Sequence, residues 1–372
     1  EVKHQIREYG VNRFWFIDSL VNGDLNKFYD FISQAVEEKM KIFWNGYARC
    51  DGRMDKEFIK LIRDSGCTAL SFGVESGSPL VLLDMKKNIS PIEIIKNLKH
   101  THEVGLYSHV NWLVGYSTET ITDSYHSLIL LFVCREWIHN ISPGVGLGIG
   151  TLTDMYKNTY KYNIAETRLF NTWHTMDFKN TDLNRIMRVL YTCIILKLFN
   201  VRNSQERSAF LDKHIDFKPK NKKYNIKYLN QDYIDFEILK PENTSLESIL
   251  LTTLGNEFIM IAYFLYKIYG DFKLNIKFTN DELEEEFGKR GKYYSTDIKI
   301  KVSGDKMEYN ISQEILFDEE DVRMFGVPSE VKENYKGITD LNFKICDARP
   351  HVNYEHKIPE YLDFGDIDLE NL

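Results

Sequence analysis

Apolar and polar positions follow two different periods along the first half of the chain. Short apolar runs read as strands: Arg13–Asp18 (R-F-W-F-I-D), Lys41–Arg49, Thr68–Glu75 and Leu106–Gly115, with a fifth inside Trp137–Gly150. Helical patterns lie between them, one through Phe28, Phe31, Ile32 and Val36, one using Phe58, Ile59 and Ile62, and one over Thr120–Phe132. The helix after the third strand has a marked start: Ser90 can cap, Pro91 suits the first turn, and Glu93 completes a capping box. Near-continuous apolar strands separated by amphipathic helices predict an α/β fold, a parallel sheet covered on its outer face. The repeated unit fits a barrel or a doubly wound sheet, and periodicity alone leaves both open. A long helix over about Thr181–Phe199 closes this half.

Beyond it the pattern changes. Asp212–Tyr228 is rich in lysine, asparagine and proline and marks a boundary. Leu246–Tyr269 is an apolar helix, but Glu247, Glu257 and Lys267 interrupt it, which suits a buried core helix rather than a membrane span. Phe272, Leu274, Ile276 and Phe278 alternate with polar residues as a half-buried strand. Tyr294–Val302 and Lys306–Ile311 flank Ser303-Gly304-Asp305 as a hairpin. The expected organisation is a first domain over 1–205, a linker over 206–240, and a smaller α+β domain over 241–372.

Composition narrows the classes. The chain has 372 residues, 43% apolar and 27% charged, which is globular rather than disordered. Its 47 basic and 55 acidic residues leave a net charge of −8, which argues against a general nucleic-acid or anionic-membrane surface. Cysteines at 50, 67, 134, 193 and 346 match neither a disulfide framework nor a metal-loop spacing. The expectations are a reducing, cytoplasmic setting and no metal ligand in this chain. The chain opens without methionine in a helical pattern, Glu1–Tyr9, and reads as a cut inside a larger protein.

In a parallel barrel, functional groups gather at the carboxyl edge of the strands. There the chain places Asp18, Arg49, Glu75 with Ser76, and Gly115 followed by Glu119. Charged residues at successive strand ends are costly unless they face a shared polar ligand. The alternative is that Asp18 and Glu75 cap the following helices and Arg49 pairs with one of them. Gly144, Gly146, Gly148 and Gly150 would share one face of an extended strand, open to a flat ligand or to close packing. Their spacing is not the dinucleotide fingerprint. His100 and His102 read as solvated, His174 stands alone, and no nucleophile–base arrangement is visible.

These strand ends carry a family resemblance. The runs G-Y-A-R-C-D (Gly46–Asp51), S-G-C-T-A-L-S-F-G-V-E-S-G-S (Ser65–Ser78) and M-K-K (Met85–Lys87) resemble the middle of a radical S-adenosylmethionine (SAM) core. So do V-N-W-L-V-G-Y-S-T-E-T (Val110–Thr120) and G-I-G-T-L (Gly148–Leu152). The similarity covers roughly residues 10–203 and has the flavour of the group often fused to an upstream cobalamin-binding domain. It implies a partial (βα)6-type barrel lacking its first strand and cluster loop. It further implies SAM, a [4Fe–4S] cluster whose C-x-x-x-C-x-x-C ligands lie upstream of Glu1, cobalamin through an upstream domain, and an electron donor. The substrate is not implied.

Carried over, Asp18 would lie near the SAM methionyl group, with Arg49 projecting into the same cavity. Glu75 and Ser76 would meet the ribose or methionyl end. Gly115, with Glu119 just after it, would back the adenine, and Gly146 and Gly148 would pass its edge. The family's G-G-E is absent, and Ser117-Thr118 stands where members often have Pro-Gly. The expectation is a fragment that is catalytic when whole. The alternative is a degenerate barrel that serves as a binding or scaffolding subunit.

Overall fold

The computed structural model describes residues 1–144, 149–165, 173–177, 179–202, 213–220, 236, 240, 246–279, 281–282, 285, 294–303, 306–315, 335–336 and 341–344. After helix α1 (Val2–Tyr9), five strands form one parallel sheet: β1 (Arg13–Phe16), β2 (Phe43–Ala48), β3 (Cys67–Glu75), β4 (Tyr107–Leu113) and β5 (Asn140–Gly144). Their spatial order is β1-β2-β3-β4-β5. A doubly wound sheet reverses its strand order partway across, so this uniform order is that of a singly wound, barrel-type sheet.

Each crossover helix starts at a side-chain cap that meets otherwise orphaned N–H groups. Asp24 caps α2 (Leu25–Glu37), Asp55 caps α3 (Lys56–Asp64), and Ser78 caps α4 (Pro79–Asp84). Ser90 with Glu93 forms the expected capping box of α5 (Pro91–Glu103), and Thr120 with Asp123 forms one on α6 (Ile121–Cys134). Helix α4 is absent from the sequence reading because six residues are too few to show a period. The caps correct the alternative roles given to Asp18 and Glu75: Asp24 and Ser78 hold those positions.

The strands also differ from the near-continuous apolar runs expected. Trp44, Leu70, Phe72, Val74, Val110, Trp112 and Ile141 are buried on one face of the sheet, in the core shared with the helices. The alternate residues are partly or fully exposed. The sheet is therefore half-buried, with its second face uncovered among the described residues.

The chain continues through α7 (Asp154–Lys157) and α8 (Asp182–Leu198), the latter capped by Thr181 and Asn184. The second sheet is antiparallel, in the order β10-β9-β8-β7-β6, with a further strand on β9. It comprises β6 (Ile215–Pro219), β7 (Phe272–Phe278), β8 (Tyr294–Ser303), β9 (Lys306–Ile315), β10 (Tyr335–Lys336) and β11 (Leu341–Lys344). β7 alternates buried and exposed as expected, and β8 pairs with β9 out to Ser303↔Lys306. β6 lies inside the stretch read as a linker, where Ile215–Pro219 pair with Phe272–Ile276.

Helix α9 (Leu246–Tyr269) joins the halves. Its Phe258–Ala262, Phe264, Leu265 and Ile268 are buried in one apolar cluster with residues of α6, α8, β7 and β8. Burial around its circumference is what a helix hydrophobic on all sides requires. Among the described residues no helix is long and apolar enough to cross a membrane.

Candidate functional site

The uncovered face of the parallel sheet is built in rungs, because registered residues on adjacent strands point the same way. One rung runs Trp15, Asn45, Ala69, Tyr107; the next Tyr47, Ser71, His109, Asn140; the third Gly73, Asn111, Ser142. Trp15 is 67% exposed. At the centre, His109 is half-buried between two partners. Its Nδ1 lies 3.1 Å from Asn140 Nδ2, and its Nε2 lies 3.1 Å from Ser142 Oγ. An amide nitrogen only donates, so Nδ1 accepts and the proton sits on Nε2, donating to Ser142. Burial lowers the His109 pKa against a smaller opposing hydrogen bond to Asn111, which keeps the ring neutral.

Charge is concentrated at the carboxyl edge. Beyond β2, Asn22 is fully buried; its Nδ2 donates to Arg49 O at 2.8 Å and its Oδ1 accepts from Arg49 N at 3.0 Å. Asn97 clamps Asp51 in the same way through its N–H and C=O. Arg53 donates from Nε and Nη2 to the two Asp51 oxygens at 2.9 and 2.7 Å, and Arg49 Nη2 adds a bond at 3.1 Å. Arg53 beside it holds the Asp51 carboxyl at about 2, with Arg49 contributing less. Arg49 Nε is buried with no partner among the described residues. Arg49 thus pairs with Asp51, not with Asp18 or Glu75.

At the end of β3, Glu75 has φ +68°, left-handed backbone that a non-glycine residue adopts at a cost of about 1–3 kcal/mol. The register shifts between Gly73 and Glu75, so the bulge re-aims this carboxylate at the edge. Lys87 Nζ reaches Gly73 O at 3.2 Å and Glu75 Oε1 at 3.4 Å. A Cβ on Gly73 would press on both the Glu75 carboxylate and the Lys87 ammonium.

The other expected residues sit elsewhere. Asp18 lies two positions past β1, exposed. Ser76 is fully buried, its Oγ bonded to Ser127 Oγ and accepting from Ser78 N. Glu119 Oε1 accepts from Gly115 N (3.1 Å), Ser124 Oγ (3.0 Å) and Arg188 Nη1 (2.9 Å). Ser76 and Glu119 therefore frame their loops, with their hydrogen bonds already made inside the protein. Gly115 has φ +78°, and a side chain there would collide with Arg185, which stacks 3.8 Å over the Trp173 ring. Gly146 and Gly148 lie outside the described residues. Gly144 ends β5, while Gly150 O accepts from Thr153 N and Oγ1 in a turn, so Gly150 is not part of that strand.

The structure thus gathers Arg49 and Glu75 at one edge. It adds Asp51, Lys87, His109, Asn111 and Ser142, which the sequence reading did not select. Alternation along Y-S-H-V-N-W-L was the signal for His109 and Asn111, since polar residues at every second position cannot all enter an apolar core. Cys50, Cys67, Cys134 and Cys193 are buried and in no disulfide, and burial pushes the pKa of the first three well above the usual range. Among the described residues no group of three His, Cys, Asp or Glu is placed to hold a metal ion.

Residues 1–128 match the model of the radical SAM superfamily. An uncharacterized methyltransferase of Pyrococcus horikoshii is 26% identical over 113 residues, 30% of this chain and 24% of that protein. The anaerobic magnesium-protoporphyrin IX monomethyl ester cyclase of Cereibacter sphaeroides is 25% identical over 123 residues, 32% of this chain and 20% of that protein. The chain therefore spans between a fifth and a quarter of the curated relatives it matches. Among solved structures, the radical SAM methyltransferase TsrM of Kitasatospora setae, with cobalamin and a [4Fe–4S] cluster bound, aligns with a TM-score of 0.38 and 16% identity. That alignment covers 42% of this chain and 31% of TsrM. Coproporphyrinogen III oxidase of Escherichia coli aligns with a TM-score of 0.36 and 13% identity, covering 50% and 42%.

Proposed function

From a chain whose residues 1–128 are radical SAM superfamily sequence, we propose that the uncovered sheet face and the carboxyl edge of β2 and β3 hold SAM and a substrate in a radical SAM enzyme. The observation that carries this reading is the edge itself. Glu75 is held in a strained left-handed conformation beside Lys87, and the neighbouring Arg49 keeps a buried Nε without a partner. Strain of this kind persists where the surroundings over-determine it, which is typical of ligand clamps.

SAM presents both signs of charge, and this edge answers both. Glu75 accepts hydrogen bonds from an ammonium or from ribose hydroxyls. Arg49 and Lys87 donate to a carboxylate, and the Arg49 Nε–H gains the acceptor it lacks. Neutral His109, with both ring nitrogens engaged by Asn140 and Ser142, orders the middle of the face without a buried charge. Trp15 and Tyr47 supply apolar surface that excludes water around a bound substrate.

The described residues offer no ligand set for a [4Fe–4S] cluster, so in this reading the cluster is held by chain outside them, and no role is assigned to Cys50, Cys67, Cys134 or Cys193. With an external one-electron donor, a bound cluster and SAM would supply a 5′-deoxyadenosyl radical, chemistry that belongs to the cofactors. The names of the relatives, a methyltransferase and a ring cyclase, leave the substrate open.

The test is the native gene around this chain. A C-x-x-x-C-x-x-C segment is expected upstream of the Glu1 codon, and the reconstituted full protein should release 5′-deoxyadenosine from SAM. Glu75→Ala should lower that release about tenfold or more, as loss of one charged ligand contact does. A reconstituted protein that leaves SAM intact, or one indifferent to Glu75→Ala, overturns the reading.

A further inference from the structure

Three small residues, Ser76-Gly77-Ser78, follow Glu75 directly. The Ser76 N–H donates back to Val74 O at 2.9 Å, which closes a three-residue turn on Glu75 at φ +68°. A γ-turn of this positive-φ kind is rare and strained, and it persists only when its surroundings over-determine it. The hold on Glu75 must therefore come from outside the turn.

Helix α6 meets the turn from below. Gly77 N donates to Ser127 Oγ at 3.0 Å. The same Ser127 Oγ lies 3.2 Å from Ser76 Oγ, which accepts from Ser78 N at 3.1 Å. Ser78 Oγ donates to Asp123 Oδ1, so the cap of α4 is tied to the first turn of α6. Asp123, Ser127 and Leu130 recur at helical spacing and lie along one side of α6. The backbone rests directly on that side, since a Cβ on Gly77 would stand 2.7 Å from both Ser127 Cα and Leu130 Cβ. Every residue of α6 except Ser124 is buried, so the close-packed helix cannot retreat to relieve the turn.

We infer that Ser127 is a positioning residue for Glu75. Its hydroxyl holds Ser76 and Gly77, the two residues after Glu75, and so keeps the turn closed with the carboxylate aimed at the sheet edge. Ser127 is buried in the helix layer and acts only through Glu75. The inference rests on the reading of Glu75 as a contact to SAM.

Equilibrium dialysis of SAM on the reconstituted full protein tests this in a double-mutant cycle. Ser127→Ala takes the acceptor from the Gly77 N–H and should weaken SAM binding about threefold or more. In the Glu75→Ala background the same change should alter affinity by less than about twofold, because the group it positions is gone. A merely structural role would give the same loss in both backgrounds. Ile62→Val, buried near the start of β3 at the other end of the strand, should lower the melting temperature without moving SAM affinity. If Ser127→Ala fails to fold, Ser76→Ala breaks the same bridge from the turn and carries the same expectations. An unchanged affinity in Ser127→Ala while Glu75→Ala loses it, or an equal loss in both backgrounds, overturns the inference and leaves the SAM reading standing. An unchanged affinity in Glu75→Ala overturns both.

Discussion

Glu75 shows what a single residue can reveal. Its carboxylate was legible from its position at a strand end, but its left-handed backbone was not, because the residue that adopts it is not a glycine. Replacing it separates function from strain. Glu75→Gly removes the Cβ that makes φ +68° costly, a gain of about 1–2 kcal/mol, less the added chain entropy of glycine. Glu75→Ala keeps the strain and loses only the long, half-buried pairing with Lys87, which contributes about 1 kcal/mol. The expected outcome is that Glu75→Gly melts no lower than Glu75→Ala, while both lose SAM binding, measured by thermal melts and equilibrium dialysis. A Glu75→Gly variant that melts clearly below Glu75→Ala would show that the conformation is not strained. Ser76 and Glu119 were misplaced by sequence for a different reason. Beside near partners in Ser78 and in Gly115 and Ser124, each has a distant one: Ser127 and Arg188 lie 51 and 69 positions away. No local pattern encodes a hydrogen bond over that span.

At the level of elements, helices were legible where caps and periodicity agreed, as at Ser90–Glu93 and Thr120. The uncovered face was not, because the aromatic residues Tyr47 and Tyr107 on it read as core. Contacts between elements are the least legible, and the buried ion triad joining the β4–α6 connection, α8 and α9 is the clearest case. Arg188 donates from Nε to Glu257 Oε1 at 2.6 Å and from Nη1 to Glu119 at 2.9 Å, so one cation serves two carboxylates. Burial raises the pKa of both Glu119 and Glu257, against the opposing pull of Arg188. A carboxyl raised in the folded state binds its proton more tightly there than in the unfolded chain. Its stabilising contribution is therefore complete below the unfolded carboxylate range and is lost as pH rises through the folded value. Arg188→Met leaves both carboxylates unpaired and should cost about 3–5 kcal/mol at about pH 8. At about pH 5 the loss should shrink, because the orphaned carboxyls then fold protonated. Urea unfolding at the two pH values measures this, and an equal loss at both would mean that the triad does not titrate as a unit.

At the scale of the whole molecule, the boundary read from composition does not divide the core. Lysine, asparagine and proline between Asp212 and Tyr228 mark a change of style along the chain, yet β6 within that stretch is an edge strand of the second sheet. Helix α9, from the second half, packs on α6 and α8 of the first. Sequence order suggests two domains, whereas burial joins them through one helix. Fully burying a large apolar side chain stabilises by about 1.5–3 kcal/mol. Phe258, Ile259, Met260, Ile261, Phe264, Leu265 and Ile268 are all buried on α9. Even half of that burial, assigned to the α6 and α8 side, rivals the whole stability of a typical domain, about 5–15 kcal/mol. A chain ending at residue 205 would expose Tyr125, Tyr191 and Phe199, whose rings pack on Tyr263, Phe258 and Phe264 of α9. It should be aggregated or without a cooperative melt in size-exclusion and calorimetric measurements, while the full chain shows one transition. A soluble, cooperatively melting 1–205 fragment would restore the two-domain division. The sheet face proposed to hold SAM and the helices that back it would then be stable without the second half. The measurement thus decides whether the second half is an appendage of the parallel sheet or part of its foundation.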